Sequence, residues 1–246
     1  MKIKSILVSQ PAPRENSPYL EIAKKQKVQI DFRPFIEVKG ADSKDLRTQK
    51  IDLSQYTGVV LTSRNAVDHY FRLAEEMRFA VPNEMRYICQ SEAIANYLQK
   101  HIVYRKRKIS FGAKSFSDLL PLFKKFPDEK YLLPSSESIS PLVTNTLKKA
   151  KVDCTRAVMF RTVSSDITDI KINEYDMLVF FSPHGIKSLQ ENFKDFEQGD
   201  TKIAIFGNTT EKAAKEAGLK IDIKVPSKEN PSMTMAIDNY IKKMNK

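Results

Sequence analysis

The chain of 246 residues is long enough for one large or two average domains, and its hydrophobic fraction of 41% is sufficient to bury a core. Lysine and arginine number 41 against 30 acidic residues, so the formal net charge of +11 attracts polyanions without specifying their kind. No apolar run approaches the roughly 18 residues of a membrane span, and the amino terminus lacks a signal-peptide cleavage pattern. We therefore expect a cytoplasmic protein with no membrane partner.

Short apolar runs alternate with amphipathic segments along the chain, which predicts an α/β fold with parallel sheets. The predicted strands are Ser5–Ser9, Gly58–Thr62, Arg86–Cys89, Lys130–Leu133, Met177–Phe181 and Lys202–Phe206, with Ile102–Ile109 and Lys220–Val225 as edge strands. Most of these runs precede a segment that fits a helix.

Similar units occur twice in the chain. YTGVVLTSRNAV at 56–67 matches YDMLVFFSPHGI at 175–186, and AKKQKVQI at 23–30 matches LKKAKVDC at 147–154. At the spacing of the first match, Ser91 falls on Thr210, each opening a helix. At nearly that spacing, Ser115 corresponds to Ser232. Self-similarity of this kind predicts a duplicated domain.

The order of the repeats predicts a discontinuous domain. Both members of the second match continue into long extended stretches, IDFRPFIEV and CTRAVMFRTV, where the chain would cross between lobes. We expect one domain from residues 1–34 and 168–246, a second from 40–157, and crossing strands at 35–39 and 158–167. A tandem arrangement is also compatible with the repeats.

Cysteine and histidine give no metal signature. Cys89 and Cys154 lie in separate apolar runs and are expected to be reduced core residues, because the spacing that zinc ligands require is absent. The three histidines stand apart in sequence. We expect neither a metal nor a cofactor.

Polar residues stand at the junction of a strand and a helix at five places. They are Ser63, Arg64 and Asn65; Ser91 and Glu92; Ser135 and Ser136; Ser182, Pro183, His184 and Gly185; and Asn208, Thr209 and Thr210. Helix capping explains most of them singly. Because both repeats carry such turns at corresponding sheet edges, the set as a whole favours one ligand cleft.

These segments together resemble the uroporphyrinogen-III synthase family over nearly the whole chain. The resemblance is carried by ILVSQP, VVLTSRNAV, ICQSEAIANYL, MFRTV, FFSPHGI and IAIFGNTTEKAAKEAG, followed by VPSKENPSMTMAI, in that order. It implies two similar three-layer lobes with parallel sheets, joined by a two-strand linker. It also implies a monomeric lyase that closes hydroxymethylbilane into uroporphyrinogen III, with loss of water and inversion of the last pyrrole ring.

The resemblance implies a site made of turns. The substrate carries many carboxylates, for which helix N-termini and cations are suitable partners. The substrate-binding residues implied are Ser9, Arg14, Thr62, Ser63, Arg64, Asn65, Ser91, Ser135, Ser136, Phe160, Ser182, Pro183, His184, Gly185, Asn208, Thr209 and Thr210.

Two positions depart from the family pattern. Phe160 occupies the place of a tyrosine whose phenol has been suggested as the proton donor. Either that group is dispensable, or Arg161, Thr162 or a bound water substitutes for it, or the protein is not a competent catalyst. Ser9 and Gln10 stand where Thr-Arg is usual, and Arg14 would supply the missing cation. His184 is expected to be an exposed turn residue, since no partner carboxylate can be named for it.

Two other functions are compatible with the sequence. A non-catalytic relative that binds a tetrapyrrole or another anionic ligand is favoured by Phe160. A nucleic-acid-binding protein is suggested only by the net charge and by the basic cluster at 104–108. This last alternative ranks lowest because no known binding motif accompanies the charge.

Overall fold

The computed structural model describes residues 2–113 and 115–245, and the chain divides into two compact units. The first unit runs up to Glu37 and resumes at Val163, whereas the second comprises Val38–Thr162. Both passages from one unit to the other fall within extended strands.

The described residues form alternating strands and helices. The strands are β1 Ser5–Val8, β2 Gln29–Phe32, β3 Ile36–Gly40, β4 Gly58–Leu61, β5 Arg86–Cys89, β6 Ile109–Phe111, β7 Tyr131–Ser136, β8 Cys154–Ser164, β9 Met177–Phe180, β10 Lys202–Phe206 and β11 Ile223–Val225. The helices are α1 Pro18–Gln26, α2 Ser43–Thr48, α3 Arg64–Glu76, α4 Glu92–Tyr97, α5 Leu120–Lys125, α6 Pro141–Lys149, α7 Pro183–Asn192, α8 Asn208–Glu216 and α9 Met233–Met244. Short 3₁₀ turns lie at Leu53–Gln55, Leu98–Lys100, Phe116–Leu119 and Ile172–Glu174.

The sheet of the first unit is parallel, with the order β11-β10-β9-β1-β2. Ile22 of α1 and Ile237 of α9 pack with Ile6 on one face of this sheet. Ile186 of α7 and Ala214 of α8 pack on the other face. The strands alternate their side chains between these two apolar layers, which gives a three-layer unit.

The sheet of the second unit has the order β3-β8-β7-β4-β5-β6, with parallel pairing from β8 to β6. Val67 and Tyr70 of α3 pack on one face, together with Val59 and Leu61. Residues of α6 and of the Phe116–Leu119 turn pack on the other face. This unit is therefore also three-layered.

The two sheets have equivalent strand orders. If β4, β5 and β6 are matched with β9, β10 and β11, and β7 and β8 with β1 and β2, the spatial order is the same in both units. The two sequence matches pair β4 with β9 and the start of β8 with the start of β2. The duplication predicted from sequence and the α/β class with parallel sheets are thus confirmed.

Several predicted strand limits differ from the structure. Arg86–Cys89 and Lys202–Phe206 are confirmed, but the predicted edge strand Ile102–Ile109 is wrong. Residues 102–108 form bends and turns, in which the N–H groups of Lys108 and Ile109 bond the carbonyl of Arg105. Four consecutive cations at 105–108 have no apolar alternation to hold them in a sheet.

Candidate functional site

At the carboxyl edge of the first sheet, a crevice position lies between β1 and β9, that is, a gap between neighbouring strands whose following helices lie on opposite faces of the sheet. The helix after β1 lies on one face of the sheet and the helix after β9 on the other. Such a reversal of winding is where open α/β sheets bind ligands. The turns that follow these two strands contain Ser9 and Ser182.

Gly185 allows these two turns to approach closely. A Cβ at Gly185 would meet the Phe180 ring at 3.4 Å and the Ser9 hydroxyl at 3.7 Å. The Gly185 N–H donates to the Ser182 hydroxyl at 3.2 Å, so Ser182 caps α7. His184 is exposed and Pro183 half-buried in the first turn of α7. The structure thus brings Ser9, Ser182 and Gly185 together.

The turn after β10 lies beside them and leads into α8, whose first two residues are Asn208 and Thr209. Gly207 precedes α8 with a φ of 84°, a conformation that favours glycine, and no side chain caps this helix. Asn208 and Thr209 are exposed, whereas Thr210 is 1% exposed and its hydroxyl has no partner in the described chain. Thr210 is the third residue of α8, so the prediction that it opens the helix is wrong.

The second sheet has the equivalent crevice position between β4 and β7. Ser63 follows β4 and caps α3 by accepting the Ala66 N–H at 3.1 Å. Arg64 is exposed, and its guanidinium lies 5.2 Å from the centre of the Tyr97 ring. Thr62 is half-buried and Asn65 exposed. The strands separate here, because β4 and β7 pair only at Gly58–Val59 with Tyr131–Leu132 among the described residues.

Ser91 occupies the neighbouring turn, after β5. It stands at the N-cap position of α4, but its hydroxyl does not bond a backbone N–H of that helix. Ser91 is half-buried and follows Cys89, whose side chain is in the core. Among the predicted serines, Ser91 is one whose hydroxyl is not used in helix capping.

Ser135 and Ser136 lie within a strand rather than in the predicted turn. They are the last residues of β7, which extends beyond the predicted end at Leu133. Ser135 is buried, and its hydroxyl accepts the Nε–H of Arg156 at 2.9 Å. Arg156 also donates to the carbonyls of Ser136 and Glu137. These contacts extend the strand, and sequence reasoning missed Arg156.

Arg14, unlike Arg156, lies on the surface. It is exposed in the segment between β1 and α1, and its carbonyl accepts the N–H of Ser17, the residue that caps α1. No carboxylate in the described part of the chain forms an ion pair with its guanidinium.

Phe160, Arg161 and Thr162 follow an irregularity in β8. Ser135 pairs with Val158 and Ser136 with Phe160, so Met159 is the extra residue of a β-bulge. Phe160 is buried, while Arg161 is exposed and lies 3.5 Å from the Asp45 carboxylate. A cavity of about 210 Å³ opens beside Phe160 and Arg161 within the second unit.

His69 is a neighbour of Phe160 that sequence reasoning missed. The two rings stack with centroids 5.1 Å apart, and Arg72 Nε donates to His69 Nδ1 at 3.3 Å. Burial is the main cause that lowers the pKa of His69. The positive charge of Arg72 lowers this pKa further, whereas the negative charge of Asp68 raises it. The spacing of His69 from Phe160 in sequence gives no signal for this contact.

The described residues contain no cluster of three or more His, Cys, Asp or Glu side chains suited to a metal ion. Cys89 and Cys154 are free, and burial raises the pKa of each thiol to about 12, so neither is a ready nucleophile at neutral pH. Across residues 2–113 and 115–245, no helix combines the length and apolar character needed to cross a bilayer.

The fold is that of a two-unit α/β protein, with serine hydroxyls, helix N–H groups and arginines at the carboxyl edges of its sheets. The family model for uroporphyrinogen-III synthase HemD matches residues 17–234. The chain belongs to the uroporphyrinogen-III synthase family. Its activity is that of a lyase of haem biosynthesis, the cyclisation of hydroxymethylbilane.

Two solved structures share this fold. Uroporphyrinogen-III synthetase from Helicobacter pylori is 16% identical, with a TM-score of 0.59 over 98% of this chain and 99% of that chain. A mutant uroporphyrinogen III synthase from the extremely thermophilic bacterium Thermus thermophilus is also 16% identical, with a TM-score of 0.55 over the same shares. No curated protein sequence matches this chain significantly.

Proposed function

We propose that this protein performs the cyclisation with the polar turns at the carboxyl edges of its sheets as the groups that bind the carboxylates of hydroxymethylbilane. The observation that supports this most is the presence of polar turns at the equivalent crevice position of each unit, with Ser9 and Ser182 in one and Ser63 in the other. A substrate with many carboxylates needs donors at several separated points. The turns at each edge offer several such points.

Backbone donors in the first unit suit carboxylates. The first turn of α8 has N–H groups that no side chain caps, and Asn208 and Thr209 are exposed there. Unpaired N–H groups and the positive end of the helix dipole favour an anion at this position. We assign Asn208 and Thr209 to substrate binding, together with Ser9, Ser182, Pro183, His184 and Gly185.

Exposed arginines add positive charge to these edges. Arg14 and Arg64 are exposed, and neither forms an ion pair with a carboxylate of the described residues. A guanidinium without a carboxylate partner is available for a bidentate contact with a substrate carboxylate. We assign Arg14 and Arg64 to this role, and Thr62, Asn65 and Ser91 to hydrogen bonding beside Arg64.

Orientation of the substrate is the main catalytic contribution in this proposal. Loss of the terminal hydroxyl leaves a cationic azafulvene, and the protein must present the substituted carbon of the last ring to it. A donor near the departing hydroxyl helps it leave as water. Arg161 and Thr162 are the candidates for that donor or for holding a water there, since Phe160 has no phenol.

Incubation with freshly generated hydroxymethylbilane tests the function. Formation of the type III isomer above the spontaneous type I background is the expected result. Arg64→Glu should raise KM about tenfold, as loss of one charge contact implies, with Arg78→Glu as a control at an exposed position just beyond the opposite end of the same helix. Production of the type I isomer alone would contradict the enzymatic function.

The same experiment distinguishes the enzymatic function from the non-catalytic binding protein, the alternative that Phe160 favours. That alternative predicts binding of the bilane, seen by quenching of intrinsic tyrosine fluorescence, without type III product.

We further propose that the protein is a cytoplasmic monomer. Light scattering after size-exclusion chromatography tests its oligomeric state, and a mass above that of one chain would contradict it.

A further inference from the structure

A second cavity lies in the other half of the second unit. Its volume is about 310 Å³, and it is formed at the amino ends of β5 and β6, where Met85, Tyr87 and Ile109 line it. Ser63 and Ser91 follow the carboxyl ends of β4 and β5. The cavity is therefore at the opposite sheet edge from the turns assigned to hydroxymethylbilane.

The walls of this cavity include a flat stack of two rings. Phe71 and His101 both line it, and their rings are 4.7 Å apart and inclined by only 6°. His101 Nε2 lies 3.0 Å from an Asp68 oxygen, and the second Asp68 oxygen accepts the Tyr97 hydroxyl at 2.9 Å. These bonds fix the imidazole, so the wall is preformed for a planar ligand.

The rim of the cavity is positive. Arg105 and Lys108 line it, whereas no aspartate or glutamate does so among the described residues. Lys108 Nζ donates to the backbone carbonyl of Glu84 at 3.0 Å and forms no close ion pair with a described carboxylate. Arg105 is exposed and lacks an ion pair with any described carboxylate. Two cations beside an apolar space favour an anion there.

An exposed apolar side chain adjoins these cations. Val103 also lines the cavity and is 80% exposed, well above the exposure of the other large apolar residues. A ligand in the cavity would cover it. Apolar walls, a charged rim and a volume at the lower end of the range for small-molecule sites occur together here.

We propose that this cavity is an accessory binding site for a small planar organic anion, namely an aromatic ring system that bears a carboxylate or sulfonate. The ring lies against Phe71 and Val103, and the acidic group pairs with Arg105 and Lys108. This site is separate from the cyclisation site and goes beyond the proposed function.

Fluorescence titration of the full chain with anilinonaphthalene sulfonate tests the proposal. We expect saturable binding at one site, displaced by naphthoate and not by the uncharged naphthalenemethanol. Arg105→Glu and Val103→Asp should each weaken binding about tenfold, since both place a negative charge beside the sulfonate. Lys106→Glu is the matched control, because Lys106 belongs to the same basic segment but does not line the cavity. It should change binding less than about twofold.

Three results would overturn the proposal. They are the absence of saturable binding, equal displacement by naphthoate and naphthalenemethanol, and equal weakening by Lys106→Glu and Arg105→Glu. The last would mean that the charge of the segment attracts the dye without a defined site. Circular dichroism of each variant checks its folding, and Val103→Asp gives an independent reading because the replaced side chain is exposed.

Discussion

The imidazole of His69 lies against the ring of Phe160, with centroids 5.1 Å apart and ring planes inclined by 18°. Arg72 donates to His69 Nδ1, so the neutral imidazole carries its hydrogen on Nε2. Arg72 also bonds Glu76 and the carbonyl of Ala41. The Phe160 ring is therefore held by a network within one unit.

Introducing a phenol at Phe160 tests whether orientation is the main catalytic contribution. We expect Phe160→Tyr to change kcat by less than about threefold, because a general acid is worth far more than this where it is required. The measurement is the initial rate of type III product formation with freshly generated hydroxymethylbilane.

A control variant separates chemistry from packing at Phe160. Phe160→Leu removes the stack on His69 and supplies no hydroxyl, so it should lower stability without the rate gain that a proton donor would give. An increase in kcat above about tenfold for Phe160→Tyr alone would show that the phenol is a proton donor.

The lowered pKa of His69 predicts a pH dependence of stability. The folded state prefers the neutral imidazole, because burial and the Arg72 charge disfavour protonation. Its contribution is complete above the ordinary histidine pKa and is lost as pH falls through the lower folded pKa. The urea midpoint of the wild type should therefore decrease between about pH 7 and pH 5.

His69→Phe is the variant that tests this dependence, since it retains a stacked ring and cannot titrate. Its urea midpoint should fall less over the same range. His184→Phe is the control, because His184 is exposed. If the urea midpoint depends on pH equally in wild type and His69→Phe, groups other than His69 cause the dependence. Glu76 is not such a group, because hydrogen bonds from Ser43 lower its pKa and it titrates below this pH range.

Much of the fold could be predicted from sequence because the strand signals are local. Runs such as Met177–Phe180 and Gly58–Leu61 are entirely buried, and apolar side chains alone indicate that. The duplication could be predicted from the repeats for the same reason, since each match is a local run of similar residues. The strand predicted at 102–109 failed because the run of cations interrupts the apolar pattern and the chain turns at Arg105.

The site was less accessible to sequence reasoning because it depends on contacts between distant residues. Ser135 has the sequence context of a turn, but Arg156 from the neighbouring strand holds it within β7. Thr210 and Thr209 are the same residue type in one polar run, yet α8 begins at Asn208 and Thr210 is buried. Neither difference is visible in the local sequence.

The Arg86–Glu129 pair is expected to stabilise the second unit. Arg86 Nε donates to Glu129 at 2.8 Å, the side chains are 12% and 22% exposed, and the guanidinium lies 3.4 Å from the centre of the Phe126 ring. Glu129→Gln keeps the shape and leaves the Arg86 charge without its partner. We expect a loss of about 1–3 kcal/mol in the free energy of unfolding, measured in urea.

A surface pair gives the comparison for Glu129→Gln. Lys171 and Glu174 are 79% and 68% exposed, so Glu174→Gln should change the free energy of unfolding by less than about 0.5 kcal/mol. Burial raises the pKa of Glu129, but hydrogen bonds from Thr57 and Arg86 and nearby positive charges outweigh it and lower the pKa. The difference between the variants should therefore shrink as pH falls through this lowered pKa. Equal losses at neutral pH would refute the expectation.

The buried hydroxyl of Thr210 predicts a stabilising substitution. It is enclosed in the described structure and has no hydrogen-bond partner, so its transfer from water is not compensated. Thr210→Val keeps the branched shape and removes that cost. The free energy of unfolding should rise by about 1 kcal/mol, and KM for hydroxymethylbilane should stay within about twofold of the wild type because the side chain is buried. Thr209→Val is the matched control at the exposed neighbour, where stability should hold and KM should rise. A larger rise in KM for Thr210→Val than for Thr209→Val would show that the Thr210 hydroxyl reaches the substrate.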